Sequence, residues 1–340
     1  MCSTRLCGVS ESQLRWELAD APHAQSALFD ESIFEREPGR GEFRGLEFLH
    51  VRAKRIINDL GGTPYGFRYT INAYRGCSHA CIFCFARPTH AYLDLNIGDD
   101  FDRKIVVKVN AVERVRAELH PRKWAGDAIA MGTNTDPYQR CEGKYRLTQG
   151  IIEALSERAN PFSILTKSTL MLRDLDLLVE ASKRADVRVN FSIGTLDETV
   201  WRTTEPGTPH PRQRVKAVEA LNNAGVRCGV LMAPILPGLS DQPEALEGVV
   251  RACKEAGAVS ISPVLLHLGN GTKDVFYERL AESRPDLLPM YRRMYGSRKY
   301  APKADRERIT ALVNKMIGKR VTIRPRAAET PPRPSQLNLL

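Results

Sequence analysis

Between residues 68 and 266 the apolar positions of the chain alternate between two periods. Six short runs rich in β-branched and apolar residues read as strands: RYTINAY (68–74), DAIAMG (127–132), FSILTK (162–167), VRVNFSIG (187–194), VRCGVLMA (226–233) and AVSISPVLL (258–266). Between the later runs stand segments of helical period: TQGIIEALSERA, LRDLDLLVEASKRA, RQRVKAVEALNNAG and PEALEGVVRACKEAG. In the third of these, Val215, Val218 and Leu221 recur close to every 3.6 residues, and Gly225 supplies a stop. Strand–helix alternation of this kind predicts a parallel sheet with right-handed crossovers. No dinucleotide-binding glycine fingerprint follows the first strand, so six strands suggest a barrel or partial barrel. In such a fold the chemistry gathers at the C-terminal strand ends.

The flanks read differently. Residues 1–60 form an irregular N-terminal extension, polar and acidic at its start. Residues 61–270 carry the barrel pattern. Residues 271–324 turn helical (VFYERLAESRPDLLPMYRRMY, then ADRERITALVNKMIG) before a last short strand, RVTIRP. Residues 325–340 are a proline-rich tail with too few core residues to fold alone.

Composition narrows the class. With 340 residues, 42% hydrophobic and 26% charged, the chain has ample length for a core and the balance of a globular protein. No apolar run is long enough to span a membrane, and MCSTRLCGVSESQLRWEL lacks the apolar centre of a signal peptide. A cytoplasmic location without membrane attachment is expected. Eight cysteines in such a compartment point to metal or catalysis before disulfides. The net charge of +10 suits an anionic partner such as nucleic acid, or equally a solvated arginine-rich surface, because the basic residues form no block.

Three of those cysteines, Cys77, Cys81 and Cys84, stand at spacing C-x3-C-x2-C in GCSHACIFC. A closed zinc site wants four ligands, usually in two pairs. Here there is one group of three, and His79 lies in the same short loop, where a tetrahedron would be cramped. Iron–sulfur cubanes take one thiolate per iron. Three thiolates leave one iron open to a substrate or cofactor, which is a catalytic arrangement.

This motif, with the aromatic Phe83 before the last cysteine and a place after the first strand, resembles the signature of the radical S-adenosylmethionine (SAM) superfamily. The resemblance covers roughly residues 65 to 270. It implies a partial TIM-type (β/α)6 barrel, a [4Fe-4S] cluster on Cys77, Cys81 and Cys84, and SAM chelated to the open iron. One electron from a flavodoxin- or ferredoxin-type donor then cleaves SAM, and the 5′-deoxyadenosyl radical abstracts a hydrogen atom from substrate. The nearest branch is similar to spore photoproduct lyase, through Glu205-Pro206-Gly207-Thr208 and the tripeptide Ala233 to Ile235. On that resemblance Thr135 and Asp136, in GTNTDPYQ, meet the SAM amino group, and Lys167, in LTKS, pairs its carboxylate. Ser192 meets the ribose, and Ala233 and Phe83 lie at the adenine. Read without the resemblance, the same residues are turn formers, a surface lysine and core positions.

Other candidates are less specific. His90 and Tyr92, in ARPTHAYLDL, follow the cysteine loop and are candidate pocket residues. Cys141 is a candidate hydrogen donor. Glu205 either faces substrate or caps the helix beginning near Arg212, the latter being favoured. Cys2 and Cys7 read as incidental, Cys228 and Cys253 as small core residues. Photoproduct lyases are thought to return hydrogen through a cysteine before the T/S-D pair and through tyrosines beside the last cluster cysteine. Here those positions are Thr133, Phe83 and Phe85, so a relative with another reaction or another return path is expected. The tail SQLNLL resembles the bacterial sliding-clamp-binding peptide, with Gln336, Leu337, Leu339 and Leu340 as anchors; the alternative is that these leucines pack on their own domain. Three readings stand: a radical SAM enzyme acting on DNA, one acting on a small metabolite, peptide or protein, and a non-enzymatic metal-binding protein.

Overall fold

A computed structural model describes residues 33–61, 67–269 and 271–318. The last predicted strand, the clamp-like tail with Gln336, Leu337, Leu339 and Leu340, and Cys2 and Cys7 lie outside the described residues. Each of the six predicted runs contains a strand, in parallel register with its neighbours: β4 (Tyr69–Ile71), β7 (Ile129–Met131), β8 (Phe162–Thr166), β9 (Val187–Ser192), β10 (Cys228–Ile235) and β11 (Ile261–Leu265). Their order in the sheet follows the chain, as successive crossovers demand, and β3 (Ile57–Asp59) adds an antiparallel edge beside β4. The sheet is therefore an open, partial (β/α)6 barrel with β3 and β11 at its edges.

The crossover helices are α1 (Ala111–Glu118), α2 (Leu147–Glu157), α3 (Leu175–Arg184), α4 (Pro211–Asn223) and α5 (Pro243–Glu255). Each turns its apolar stripe inward. On α4 the buried positions include Arg214, Ala217, Val218 and Leu221, one helical face with a single charged member. Pro211 begins that helix, where its missing N–H costs nothing, and His210 rather than Glu205 accepts the Arg212 N–H at its cap. One apolar core runs from Leu46 through the barrel to Val313.

The extension departs from expectation. Residues 35–59 are not irregular: β1 (Glu35–Pro38) and β2 (Glu47–Val51) join β6 (Lys104–Lys108) and β5 (Tyr74–Arg75) in a second sheet, ordered β1-β2-β6-β5. Its centre is KIVVK paired with EFLHV, where Phe48, Leu49, Ile105 and Val107 have no exposed surface. This sheet carries the backbone on both sides of the cysteine loop, since β5 enters the loop and β6 lies beyond it.

Beyond the barrel, α6 (Thr272–Ser283), α7 (Leu288–Tyr295) and α8 (Lys303–Ile317) cover the last strands, as the helical pattern predicts. The fully buried Tyr291 and Tyr295 hydroxyls donate to the carbonyls of Pro237 (2.7 Å) and Leu266 (2.8 Å), tying α7 to the loops after β10 and β11. Among the described residues no helix is long and apolar enough to cross a membrane.

Candidate functional site

At the C-terminal ends of the parallel strands lies a cavity of about 720 Å³, counting its mouth. The cysteine loop contributes Cys77, His79, Cys81, Phe83, Cys84 and Phe85. The strand ends contribute Asn134, Thr135 and Asp136 after β7, Thr166 and Lys167 at β8, Ser192 on β9, and Leu231, Ala233 and Pro234 on β10.

The loop is shaped by its neighbours. Gly76 has φ +78°, and a Cβ there would lie 2.8–2.9 Å from the His90 ring and from two backbone carbonyls. Only glycine fits both the turn and the space. The Thr135 hydroxyl (2.7 Å) and the Gln139 amide (2.9 Å) both donate to the Gly76 carbonyl, and Gln139 Oε1 accepts the Ser78 N–H at 3.0 Å. On the far side the buried Arg87 guanidinium donates to the Cys81 carbonyl and is held by Asp102 at 2.8 Å. The loop between these clamps bonds to the chain after β9: Ile82 N–H donates to Thr204 O, and Gly207 N–H to His79 O, both at 3.0 Å.

Cys77 and Cys81 are buried, Cys84 is half-buried, and burial pushes all three thiols above their ordinary range. A thiolate in that setting needs a cation beside it, which iron supplies. Cys77, Cys81 and Cys84 line one cavity, and three thiolates from one short loop are the donor set of a cubane with one iron left open, where a closed zinc site would want a fourth ligand. The residues therefore fit a [4Fe-4S] cluster, and the cavity they line opens toward the strand ends.

The strand-end residues form two polar groups. In the first, burial works against the Asp136 carboxylate, but His79, Thr166 and the Lys167 backbone hold it below its ordinary range. One oxygen accepts the Thr166 hydroxyl (2.6 Å) and the Tyr138 N–H (2.9 Å). The other accepts the Lys167 N–H (2.7 Å) and lies 3.3 Å from His79 Nδ1. His79, on the cysteine loop, is thus paired to Asp136 on the segment after β7. In the second group, Lys167 Nζ donates to Ser192 Oγ (2.8 Å) and Glu205 Oε1 (2.5 Å) and sits 5.5 Å from the Phe83 ring centre. Ser192 in turn donates to the Ala233 carbonyl at 2.7 Å. All six strand-end and loop residues singled out from the sequence (Phe83, Thr135, Asp136, Lys167, Ser192 and Ala233) line the cavity.

The catalytic candidates do not. His90 is buried behind the loop, stacked edge-on against Phe101, with Nε2 at 3.0 Å from the Lys104 carbonyl. Tyr92 is 44% exposed and lies over Arg75 on the outer side of the 3-10 turn. Cys141 is fully buried in the main core beside Glu142, away from the cavity lining. Each follows a cavity segment closely in sequence, but the turn after it carries the side chain elsewhere. Glu205 is also corrected: its side chain does not cap the helix beginning near Arg212, where His210 does so. Burial alone would raise the Glu205 pKa, yet Arg214 (2.6 Å) and Lys167 bring it down to about 2. Sequence reading missed Gln139 and Arg87, whose only signal is proximity to a motif, and Arg214, whose signal is its place on the inward stripe of α4.

Comparison with known proteins agrees with this geometry. The family model described as the radical SAM superfamily matches residues 71–253. An uncharacterized Mycobacterium tuberculosis protein is 43% identical over 279 residues, 82% of each chain. An uncharacterized Methanocaldococcus jannaschii protein is 31% identical over 196 residues, 58% of this chain and 70% of its own. A solved spore photoproduct lyase complexed with a dinucleoside spore photoproduct superposes with TM-score 0.59 at 18% identity, covering 81% of this chain and 80% of that one. A variant of that lyase with bound AdoMet and the same dinucleoside gives 0.57, covering 78% and 77%. At that identity the likeness speaks for the fold.

Proposed function

The chain belongs to the radical SAM superfamily, and from that premise we propose that it acts on DNA or a related nucleic acid in a repair-like reaction. Its class is that of an enzyme using a [4Fe-4S] cluster and SAM, and that class draws its electron from a separate donor protein. When bound, the cluster and SAM supply the reductive cleavage that yields a 5′-deoxyadenosyl radical. In this reading Cys77, Cys81 and Cys84 hold the cluster. Lys167 receives the SAM carboxylate, Ser192 the ribose, and Ala233 and Phe83 flank the adenine.

The single observation that carries the site reading is that the three thiols share one cavity with Lys167, Ser192 and Ala233, on strand ends far apart in sequence. Thr135 and Asp136 meet the SAM amino group, and the Asp136 carboxylate, oriented by the Thr166 hydroxyl, the Lys167 N–H and His79, is the acceptor such an ammonium-like donor needs. Phe83, Phe85, Leu165, Leu231, Ala233 and Pro234 give the cavity apolar walls, which keep water from a reactive site.

Two observations favour a nucleic-acid substrate: the net charge of +10 and a fold shared with a lyase solved with a dinucleoside lesion. The reaction differs from that lyase's in its hydrogen return. Phe83 and Phe85 line the cavity and carry no phenol, and Thr133 is buried with its hydroxyl in reach of the Asn72 amide at 3.2 Å. The clamp-like tail, Gln336 to Leu340, fits the same setting as a tether to replicating DNA.

The test is anaerobic reconstitution with iron and sulfide, followed by SAM and dithionite with and without lesion-bearing DNA. The expected result is 5′-deoxyadenosine formation stimulated by a particular lesion. Formation unaffected by any DNA would move the substrate to the metabolite, peptide or protein class. No cluster and no nucleoside would leave a structural metal protein.

A further inference from the structure

One turn of chain joins the two halves of the cavity. After the helix that follows β9, the Thr204 carbonyl and Gly207 N–H each bond to the cysteine loop at 3.0 Å. Between them Glu205 sends its carboxylate the other way, one oxygen to Lys167 (2.5 Å) and one to Arg214 (2.6 Å). The side chains of Glu205 and Arg214 are 5% and 1% exposed, that of Lys167 14%. Arg214 has no slack, because it also donates to the carbonyls of Pro209 (2.9 Å) and Ser192 (3.0 Å) and to the Thr208 hydroxyl. The flexible member of the trio is therefore Lys167.

The charges do not balance. Two cations share one carboxylate, so the buried group carries one net positive charge. An ammonium has three N–H donors. Lys167 spends one on Ser192 and one on Glu205, and its third is left beside the cavity it lines. A charge withdrawn from water and left unpaired is costly, and a ligand carboxylate is the group that relieves it.

We propose that Glu205 is a positioning residue. Anchored by Arg214 and by the backbone clamp on the cysteine loop, it fixes the Lys167 ammonium relative to that loop and aims its free N–H at a carboxylate-bearing ligand. The proposal rests on the reading of this cavity as the SAM site. Without the Glu205 charge, the lysine faces Arg214 unpaired and turns away from its place, although the rest of the cavity is unchanged.

The experiment uses full-length protein reconstituted anaerobically, without reductant, and equilibrium dialysis with two probes. SAM has the aminocarboxyl group; 5′-methylthioadenosine keeps the nucleoside and lacks it. Iron and sulfide are counted for every variant. E205Q is expected to hold wild-type iron and to bind methylthioadenosine as wild type does, but to bind SAM about ten- to a hundredfold more weakly, the size of one charge-assisted hydrogen bond. K167Q is expected to show the same selective loss. The double variant is expected to be no weaker than K167Q alone, because Glu205 acts through Lys167. SAM binding that is unchanged or tighter in E205Q, or losses that add in the double variant, would overturn the proposal. If E205Q fails to load iron, Glu205→Asp repeats the test with the charge kept and the reach shortened: selective loss of SAM supports positioning, and equal loss of both probes overturns it. Wild-type protein that loads its cluster yet ignores SAM would sink the reading of the site itself.

Discussion

Replacing Gly207 by alanine tests whether the chain after β9 braces the cysteine loop. A Cβ at Gly207 would lie 2.1 Å from the Ser78 carbonyl oxygen and 2.9 Å from the His79 backbone, where ordinary contact begins at 3.4 Å. The loop and the brace must therefore separate by about 1.3 Å, the difference between those two distances. The obstructing atoms are backbone, so no rotamer change relieves the clash. A shift of that size breaks the Gly207–His79 hydrogen bond, now 3.0 Å, and loosens Ile82–Thr204 beside it. Two lost hydrogen bonds cost about 1 kcal/mol each, and overpacking adds about 1–3 kcal/mol. The sum, about 3–5 kcal/mol, is a large share of the roughly 5–15 kcal/mol that holds a domain folded. Urea unfolding of the apoprotein reads the stability, and iron and sulfide per chain after reconstitution read the loop. Gly248→Ala is the control. It lies within α5 with nothing near its added methyl, and is expected to be neutral or to gain about 0.5–1 kcal/mol. If Gly207→Ala unfolds with Gly248→Ala and loads iron as wild type does, the brace is not what shapes the loop.

Three further outcomes follow from the same geometry. Serine at Cys77, Cys81 or Cys84 is expected to abolish both the cluster's visible absorbance and 5′-deoxyadenosine formation while leaving a folded apoprotein, as judged by circular dichroism and urea midpoint. Cys141→Ala is expected to cost about 1–2 kcal/mol in the urea midpoint through a small core cavity, yet to keep 5′-deoxyadenosine formation within about twofold of wild type, because this thiol lies in the core rather than in the cavity. Glu205 is held at about 2 against an ordinary 4.5, so its contribution to apoprotein stability is complete above pH 4.5 and is lost as the pH falls toward 2. That loss is of order 3 kcal/mol, and acid titration of Glu205→Gln, followed by fluorescence, should lack it.

The barrel was legible because its strands are apolar on both faces. VRCGVLMA and FSILTK are runs too short for helices and too continuous for surface strands, and helices of clear period separate them. The second sheet was not legible for the opposite reason. KIVVK is five residues bounded by lysines, and EFLHV sits in a polar stretch. Neither announces a partner more than fifty residues away, yet they pair in parallel and bury Phe48 and Ile105 completely. Such pairing is decided by what covers the faces, which a local window does not contain.

The site divides along a similar line. Residues that touch the cavity stand in short motifs fixed by strand geometry, so Lys167 and Ser192 were found at the ends of apolar runs and lie 2.8 Å apart. Residues that hold those in place were not found, because a supporting side chain needs only to reach and may start from any element. Gln139 stands on the turn after β7, Arg87 follows the cysteine loop, and Arg214 sits on the buried face of α4, where the pattern calls for an apolar residue. That last mismatch was the available signal. An arginine on the inward stripe of a helix, with a lone glutamate nine residues before it in a glycine–proline loop, is a charge that must be paired inside. Its partner Glu205 was read as a helix cap on position alone. The burial of Arg214 would have argued for an internal ion pair, and with it for a glutamate that faces Lys167 rather than solvent.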